Sequence, residues 1–239
     1  MIRPTRCDEP RGLSWLACAA PLCLALGCAS GPRPMPGGLT PAERLAFSED
    51  VLRASQVRGT FELDSHGAHE SHFTGTLDLT GSNALVLAAE GRLDGADVKL
   101  TLDSSGGEPN RSVSRGPSVS GHQGGPSEHL NEAVVIALVR LGLLHDLALL
   151  SDDEMVAKAE GGVREYVVAQ EVKDVGPDQV DQEPCHRLDF VVALEGKPGG
   201  EATVCLSDAT SLLLQRRQTV HAQSGDMTVT ERFKWTLKR

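Results

Sequence analysis

Three regularly spaced histidines are the residues of this sequence that come nearest to a metal site. His66, His69 and His72 follow one another at three-residue intervals, with Asp64 and Glu70 beside them. Imidazole and carboxylate groups bind zinc or copper when a fold brings several of them together. This spacing gathers side chains on one side only in a helix, whereas the flanking residues alternate as in two strands. The sequence therefore favours an exposed polar turn, and we predict no bound metal and no cofactor.

Motifs for catalysis do not occur in the rest of the sequence. It contains no Gly-x-Ser-x-Gly, phosphate-binding loop, dinucleotide fingerprint or His-Glu-x-x-His. His145 and Asp146 stand together in a strongly apolar stretch, where they either form a buried pair or mark the exposed edge of a helix. The exposed edge is the favoured interpretation, because charged groups are rarely buried without partners. We predict that the protein is not an enzyme.

The N-terminal residues have the organisation of a secretory signal. Arg3, Arg6 and Arg11 precede residues 13–27, which carry no charged side chain. An apolar run of about 15 residues is short for a membrane-spanning helix, which needs roughly 20. A basic segment, a short apolar segment and a small residue before a cleavage point are the parts of a signal peptide.

A cysteine directly follows that small residue. The segment Leu24-Ala25-Leu26-Gly27-Cys28 resembles the lipobox of bacterial lipoproteins, in which the cysteine is acylated and becomes the new N-terminus. The resemblance implies that residues 1–27 are a lipoprotein signal peptide and that Cys28 is the lipidation site. Ala29, in place of Asp, implies an outer-membrane location facing the periplasm. An ordinary signal peptide or a plain membrane anchor is the alternative.

The overall composition limits the partners and the kind of core. The formal net charge of −10 argues against nucleic acid and against anionic lipid headgroups as partners. Hydrophobic residues make up 40% of the chain but aromatic residues only 3%. The core is therefore expected to consist mostly of Leu, Val and Ala. We predict membrane attachment through the N-terminal lipid alone, and no oligomeric state follows from the sequence.

Two segments precede the main part of the fold. Residues 28–39 are rich in Pro and Gly and are predicted to be a flexible tether. Thr40, Pro41 and Glu43 then form a helix start, because Thr can cap the helix, Pro suits its first position and Glu completes a capping box. We therefore predict a helix over residues 41–55.

The remaining sequence is dominated by strands, forming one domain over residues 40–239. Alternating apolar residues predict four strands before residue 104 and five after residue 165. Residues 104–127 are of low complexity and are predicted to be a mobile loop. The apolar residues 130–150 predict a buried helix, and a capping box at residues 151–154 predicts a short second one. The fold class is α+β: an antiparallel sheet of about nine strands, curled by strand twist into a half-barrel, with helices on its concave face.

The C-terminal strands carry a resemblance to a known family. Residues 202–212, Ala-Thr-Val-Cys-Leu-Ser-Asp-Ala-Thr-Ser-Leu, are followed by Gln215-Arg216-Arg217-Gln218 and by Met227-Thr228-Val229-Thr230. A strand, a turn with Asp and Thr, an arginine-bearing strand and a final strand occur in this order in the LolA/LolB and LppX/LprG superfamily of envelope lipoproteins. The resemblance implies the half-barrel fold and the binding or carriage of a lipid or an acylated protein.

A hydrophobic ligand site is predicted between the sheet and the apolar helix. Leu138, Leu141 and Leu144 of that helix are its candidate contacts. Arg216 shares its parity with the apolar Leu212 and Leu214 of its strand, so it could reach the concave face and bind an anionic headgroup. The alternative is a filled core and a ligand-free outer-membrane lipoprotein that acts as a structural or interaction module.

The two cysteines of the C-terminal half give conflicting indications. In an oxidising compartment Cys185 and Cys205 are a candidate disulfide. If residues 196–200 form the hairpin loop, however, Cys205 falls opposite Val191. It would then lie roughly 20 Å from Cys185, whereas a disulfide requires Cα atoms within about 7 Å. On this register we predict that the two cysteines do not form a simple cross-strand bridge.

Overall fold

The computed structural model describes residues 31–80, 84–105, 110–115, 118–123, 130–145, 164, 166–222 and 225–238. It contains two helices and eleven strands, which are α1 Pro41–Ala54, β1 Gln56–Gly67, β2 Ser71–Thr80, β3 Leu85–Leu93, β4 Ala96–Asp103, β5 Asn110–Arg115, β6 Ser118–Gln123, α2 Leu130–Arg140, β7 Val167–Val180, β8 Glu183–Leu194, β9 Lys197–Ser207, β10 Leu213–Ala222 and β11 Gly225–Leu237. The predicted signal peptide, the predicted lipidation site Cys28 and the helix predicted after residue 151 lie outside these residues.

All strands form one antiparallel sheet, in the order β6-β5-β4-β3-β2-β1-β11-β10-β9-β8-β7. Neighbours in space are neighbours in sequence except where β11 returns to pair with β1. The sheet is curled and not closed, with β6 and β7 as its edges, and the predicted α+β half-barrel is confirmed. Each of the nine predicted strands is present.

The inner face of the sheet is apolar and carries both helices. Buried residues alternate with exposed ones along β1, β2 and β11, as a sheet with one buried face requires. Their side chains form one core with Leu45, Val51 and Leu52 of α1 and with the apolar residues of α2. The predicted capping box at the start of α1 is also present, since Thr40 and Glu43 each bond the other's backbone amide.

The prediction of a loop over residues 104–127 was wrong where β5 and β6 occur. β5 pairs along its whole length with β4, and β6 pairs with β5. Low apolar content concealed these strands, because a strand near a sheet edge is held mainly by its backbone hydrogen bonds and needs little apolar burial.

The prediction of a flexible tether was wrong around Arg33. The Arg33 amide donates to the Thr210 carbonyl at 3.2 Å, and the Ser211 hydroxyl donates to the Arg33 carbonyl at 2.7 Å. The Arg33 guanidinium lies over the Phe47 ring, 4.7 Å from its centroid, which is a cation–π distance. Met35 packs against the core. The chain is therefore fixed to the fold from Arg33 onward.

The register used against a disulfide was also wrong, because Cys185 and Cys205 are bonded with Cα atoms 5.5 Å apart. The hairpin between β8 and β9 turns at Glu195 and Gly196, which both have positive φ. This two-residue turn and a bulge after Val192 bring Cys205 opposite Arg187, only two residues from Cys185. A primed turn fits the twist of the strands, which is why it replaces the five-residue loop.

Candidate functional site at the break in the apolar helix

The apolar residues 130–150 do not form the single helix that we predicted. α2 ends at Arg140, and Gly142 adopts a φ of +97°, which interrupts the helix before a further helical turn at residues 143–145. A Cβ atom on Gly142 would lie 2.6 Å from Nη1 of Arg216. Both the backbone angle and the close approach therefore require glycine here. Residues 146–150 lie outside the described part of the chain.

Arg216 of β10 closes the C-terminal end of α2. Its side chain is 1% exposed and lies on the inner face, as predicted. The predicted alternation fails at Leu214, however, because a bulge between Leu213 and Gln215 places Leu214 in a separate cluster with Cys185 and Cys205. Nε donates to the Val139 carbonyl at 3.2 Å, and Nη2 donates to the Arg140 carbonyl at 2.7 Å. Nη1 donates to the Gln218 side chain at 2.6 Å. A cation at the carbonyl end of a helix satisfies orphan acceptors and complements the helix dipole.

Glu231 of β11 binds the other side of the same break. It lies directly opposite Arg216 in the sheet and is likewise buried. Its Oε1 accepts the amide of Leu144 at 3.0 Å. Burial raises the pKa of Glu231, and the charge of Arg216 opposes that rise. Oε2 is buried with no hydrogen-bond partner among the described residues. Two opposite charges on adjacent strands thus hold the two ends of the interrupted helix.

A second buried ion pair joins the helices to each other. Glu49 of α1 is 1% exposed. Its Oε1 and Oε2 atoms accept hydrogen bonds from Nε and Nη2 of Arg140, at 2.6 and 2.8 Å. Arg140 also donates through Nη1 to the Val167 carbonyl at the start of β7. Burial raises the pKa of Glu49, which Arg140 counteracts. This contact holds α1, α2 and the start of the edge strand β7 together.

The structure brings the predicted ligand-binding residues together, but it surrounds them with protein. Leu138 and Leu141 are 0% and 2% exposed, and Leu144 is half-buried against the core. Arg216 is occupied by carbonyl groups of α2 and by Gln218. The predicted contact of these four residues with a ligand stays a prediction, and it requires α2 to move.

Two grooves lined by described residues lie on the outer face of the sheet. The larger, of about 580 Å³, crosses β1 to β4 between exposed threonines, among them Thr60, Thr74 and Thr76. The smaller, of about 230 Å³, crosses β7 to β9 and is lined by Lys173, Asp189 and other residues. Both grooves are open, and neither lies between the sheet and α2, where the sequence predicted a cavity.

The histidine run lies at the connection between β1 and β2, as predicted. Each imidazole is exposed and shares a hydrogen bond with a different carboxylate, at 2.8 to 2.9 Å: His66 with Glu70, His69 with Asp94 and His72 with Asp64.

No described helix is long and apolar enough to cross a membrane.

His145 is not the exposed residue that we expected. Its ring is half-buried, and its Nδ1 atom is fully buried with no partner among the described residues. Burial lowers the pKa of His145 to about 4, the charge of Arg216 adds to this effect, and the Leu141 carbonyl partly opposes it.

The low pKa of His145 predicts a loss of stability in acid. Between about pH 6.5 and 4 the unfolded chain binds a proton at this residue that the folded chain does not, so stability falls as the pH falls. His145→Gln should remove this contribution, which is worth about 2 kcal/mol. Urea unfolding at pH 7 and 4.5 would measure it as a smaller acid loss in the variant than in the wild type. The raised pKa of Glu231 acts in the opposite direction, and an equal acid loss in both proteins would contradict the prediction.

Comparisons with known proteins find structural likeness only. No protein-family model matches the chain, and no curated protein matches it. Among solved structures, MucB matches with 16% identity and a TM-score of 0.43, covering 83% of this chain and 58% of that chain. The lipoprotein LppX of Mycobacterium tuberculosis matches with 16% identity and a TM-score of 0.39, covering 83% and 94%. A LolA superfamily protein of Nitrosomonas europaea matches with 8% identity and a TM-score of 0.32, covering 84% and 94%.

The structures found include members of the LolA and LppX group that the sequence resembles. This chain spans less than two thirds of the MucB chain.

Proposed function

We propose that this chain is a lipid-anchored protein of the bacterial envelope that binds a hydrophobic ligand, a lipid or an acylated protein, between α2 and the inner face of the sheet. It is a binding protein rather than an enzyme. The attachment of α2 supports this proposal, because directional polar contacts at its C-terminal end hold an otherwise apolar helix on an apolar sheet. Releasing these contacts lets α2 move as a unit.

Displacement of α2 would expose apolar surface, which an acyl chain could cover. Leu138 and Leu141 face the core, so lifting the helix removes them from the inner residues of the sheet. Burying apolar surface contributes about 25 cal/mol per Å². A ligand that covers the same surface therefore offsets the cost of moving the helix.

A second function is favoured by a different observation. The complete burial of Leu138 and Leu141 is what a filled core requires. In that case the chain is a ligand-free envelope module that acts through contacts of its outer surface, and α2 is a permanent part of the core.

Binding of an acyl probe separates the two functions. Leu144 is half-buried beside the break in the helix, so Leu144→Arg places a charge at the proposed ligand site. For a ligand-binding protein we expect at least a tenfold weaker binding of a fluorescent fatty acid, with little change in urea unfolding. For a filled core we expect no saturable binding by the wild type and a loss of about 1–3 kcal/mol in the variant, because the half-buried side chain loses apolar contacts and its charge loses part of its hydration. Leu237→Arg is the matched control, because Leu237 is 57% exposed.

Membrane attachment is proposed to occur through Cys28. Cys28→Ser should abolish labelling by a palmitate analogue and leave the protein unanchored. Acyl chains contribute about 0.8 kcal/mol per buried CH₂, so no basic patch is needed. Equal labelling of the variant and the wild type would contradict lipidation at this residue.

The fixed position of Arg33 gives the anchored protein a defined orientation. Four residues separate Cys28 from Arg33, so the Cα atoms of these two residues lie at most about 17 Å apart in an extended chain. Arg33 contacts Thr210 and Ser211 in the turn between β9 and β10. This end of the sheet therefore lies close to the bilayer, and the connection between β1 and β2 points away from it.

A further inference from the structure

A group of metal-ligand side chains lies on the outer face of β1 and β2. Glu62 and Asp64 alternate along β1 with Phe61 and Leu63, which are buried on the inner face. His72 of β2 stands directly opposite Asp64. One carboxylate oxygen of each acid and one imidazole nitrogen of His72 all lie within 4.8 Å of one another. The histidine spacing did not indicate this group, because pairing across two strands assembles it.

We propose that Glu62, Asp64 and His72 bind a divalent transition-metal ion such as Zn²⁺. An imidazole and two carboxylates are a ligand set that this class of ion accepts. Three protein ligands leave one position of a tetrahedral ion for water or for a ligand atom of a partner. The site is on the opposite face from α2, so it does not depend on the hydrophobic ligand proposed above.

The distances suit an ion with small adjustments. His72 Nδ1 and Asp64 Oδ1 are 2.8 Å apart and share a hydrogen bond. Ligand atoms around a tetrahedral zinc ion are about 3.3 Å apart, given bonds of roughly 2.0–2.1 Å. A bound ion would take the place of the proton between Nδ1 and Oδ1. The most distant pair of ligand atoms must approach by at most about 1.5 Å, which rotation of the exposed Glu62 and His72 side chains allows.

The sheet holds the ligands in position before any ion binds. β1 and β2 are interior strands, paired on both sides, so the backbones of Glu62, Asp64 and His72 are fixed by regular ladders. His66 and His69 are nearby in sequence, but they pair with Glu70 and Asp94 at the turn. The triad is thus distinct from the rest of the histidine run.

Two arginines on the neighbouring strands modulate the charge of the site. Arg232 of β11 stands opposite Glu62, and Arg92 of β3 stands opposite His72. Arg92 is engaged with the Gly95 carbonyl and lies 3.6 Å from Asp97. Positive charge beside a cation site weakens binding. Arg232→Gln should therefore strengthen metal binding several-fold, an effect that a general loss of structure cannot mimic.

Calorimetric titration of Zn²⁺ into the detergent-solubilised full-length protein would test the site. We expect His72→Ala, Glu62→Gln and Asp64→Asn each to weaken the Zn²⁺ affinity at least tenfold without lowering the melting temperature. His221→Ala is the matched control, because His221 forms the same kind of pair with Asp226, at 2.9 Å, on β10 and β11.

Several results would overturn the proposal. These are an absence of saturable Zn²⁺ binding by the wild type, binding that His72→Ala leaves unchanged, and a loss of affinity as large for His66→Ala or His69→Ala as for His72→Ala. The last result would assign the ion to the histidine run at the turn, and the second would assign it to another part of the chain.

Discussion

Arg216→Met should lower the free energy of unfolding by about 3–5 kcal/mol, the range found when one partner of a buried ion pair is removed. The substitution leaves the Glu231 carboxylate in the core without its opposite charge. It also removes the donors that satisfy the carbonyls of Val139 and Arg140. Urea unfolding followed by circular dichroism would measure the effect.

Arg217→Met is the matched control for this experiment. Arg217 is the next residue of β10, and its side chain is exposed on the outer face. A surface substitution of this kind changes stability by about 0.5 kcal/mol or less. Equal effects of the two substitutions would show that the buried contacts of Arg216 do not hold α2.

The double variant Arg216→Met, Glu231→Leu distinguishes coupling from simple loss of contacts. If the two charges depend on each other, the double variant should lose less unfolding free energy than the two single variants lose together, because no isolated charge remains in the core. Additive effects would mean that each residue acts alone on its own segment of the interrupted helix.

The alternation of strand residues between the two faces of the sheet predicts which residues line this site, but it does not predict their contacts. Alternation with Val229 and Phe233 places Glu231 on the inner face, and alternation with Leu212 and Leu214 places Arg216 there. The Arg216 position was predicted in this way, and Glu231 could have been found by the same reasoning. Their direct opposition depends on the register of β10 and β11, which the sequence does not specify.

The break at Gly142 shows a limit of apolar periodicity. The apolar residues continue past it, and periodicity alone therefore predicts one helix over residues 130–150. The interruption depends on tertiary contacts, because Arg216 and Glu231 supply the hydrogen bonds that a broken helix loses. A glycine within a helical pattern was the only local signal.

Turn geometry and edge pairing account for the other differences. The Cys185–Cys205 bond was rejected on a five-residue loop, whereas Glu195 and Gly196 form a two-residue turn. A change in the length of the loop shifts every residue pair in a hairpin. The pairing of Cys205 can therefore be predicted correctly only when the turn is assigned correctly. β5 and β6 were missed because backbone pairing, of β5 with β4 and of β6 with β5, provides the stability that their composition lacks.

Glu49→Ala is expected to have an effect comparable to that of Arg216→Met, about 3 kcal/mol or more, because it leaves the Arg140 guanidinium largely buried without its carboxylate. The sequence contains a signal for this contact. Glu49 lies four residues after the buried Leu45, so the two share a face of α1. Loss of the pair should also increase amide hydrogen exchange in both α1 and α2, since it joins these helices and the start of β7.

Asp50→Ala is the control for Glu49→Ala within the same helix. Asp50 pairs with Arg53 at 2.9 Å in an exposed i, i+3 contact, which is worth only about 0.3–0.5 kcal/mol. If Glu49→Ala costs no more than Asp50→Ala, burial of the Glu49–Arg140 pair contributes nothing to the attachment of α2. If Glu49→Ala instead raises hydrogen exchange in α2 but not in β10 and β11, α2 can separate from an intact sheet. That outcome would support the movement that binding of a hydrophobic ligand under α2 requires.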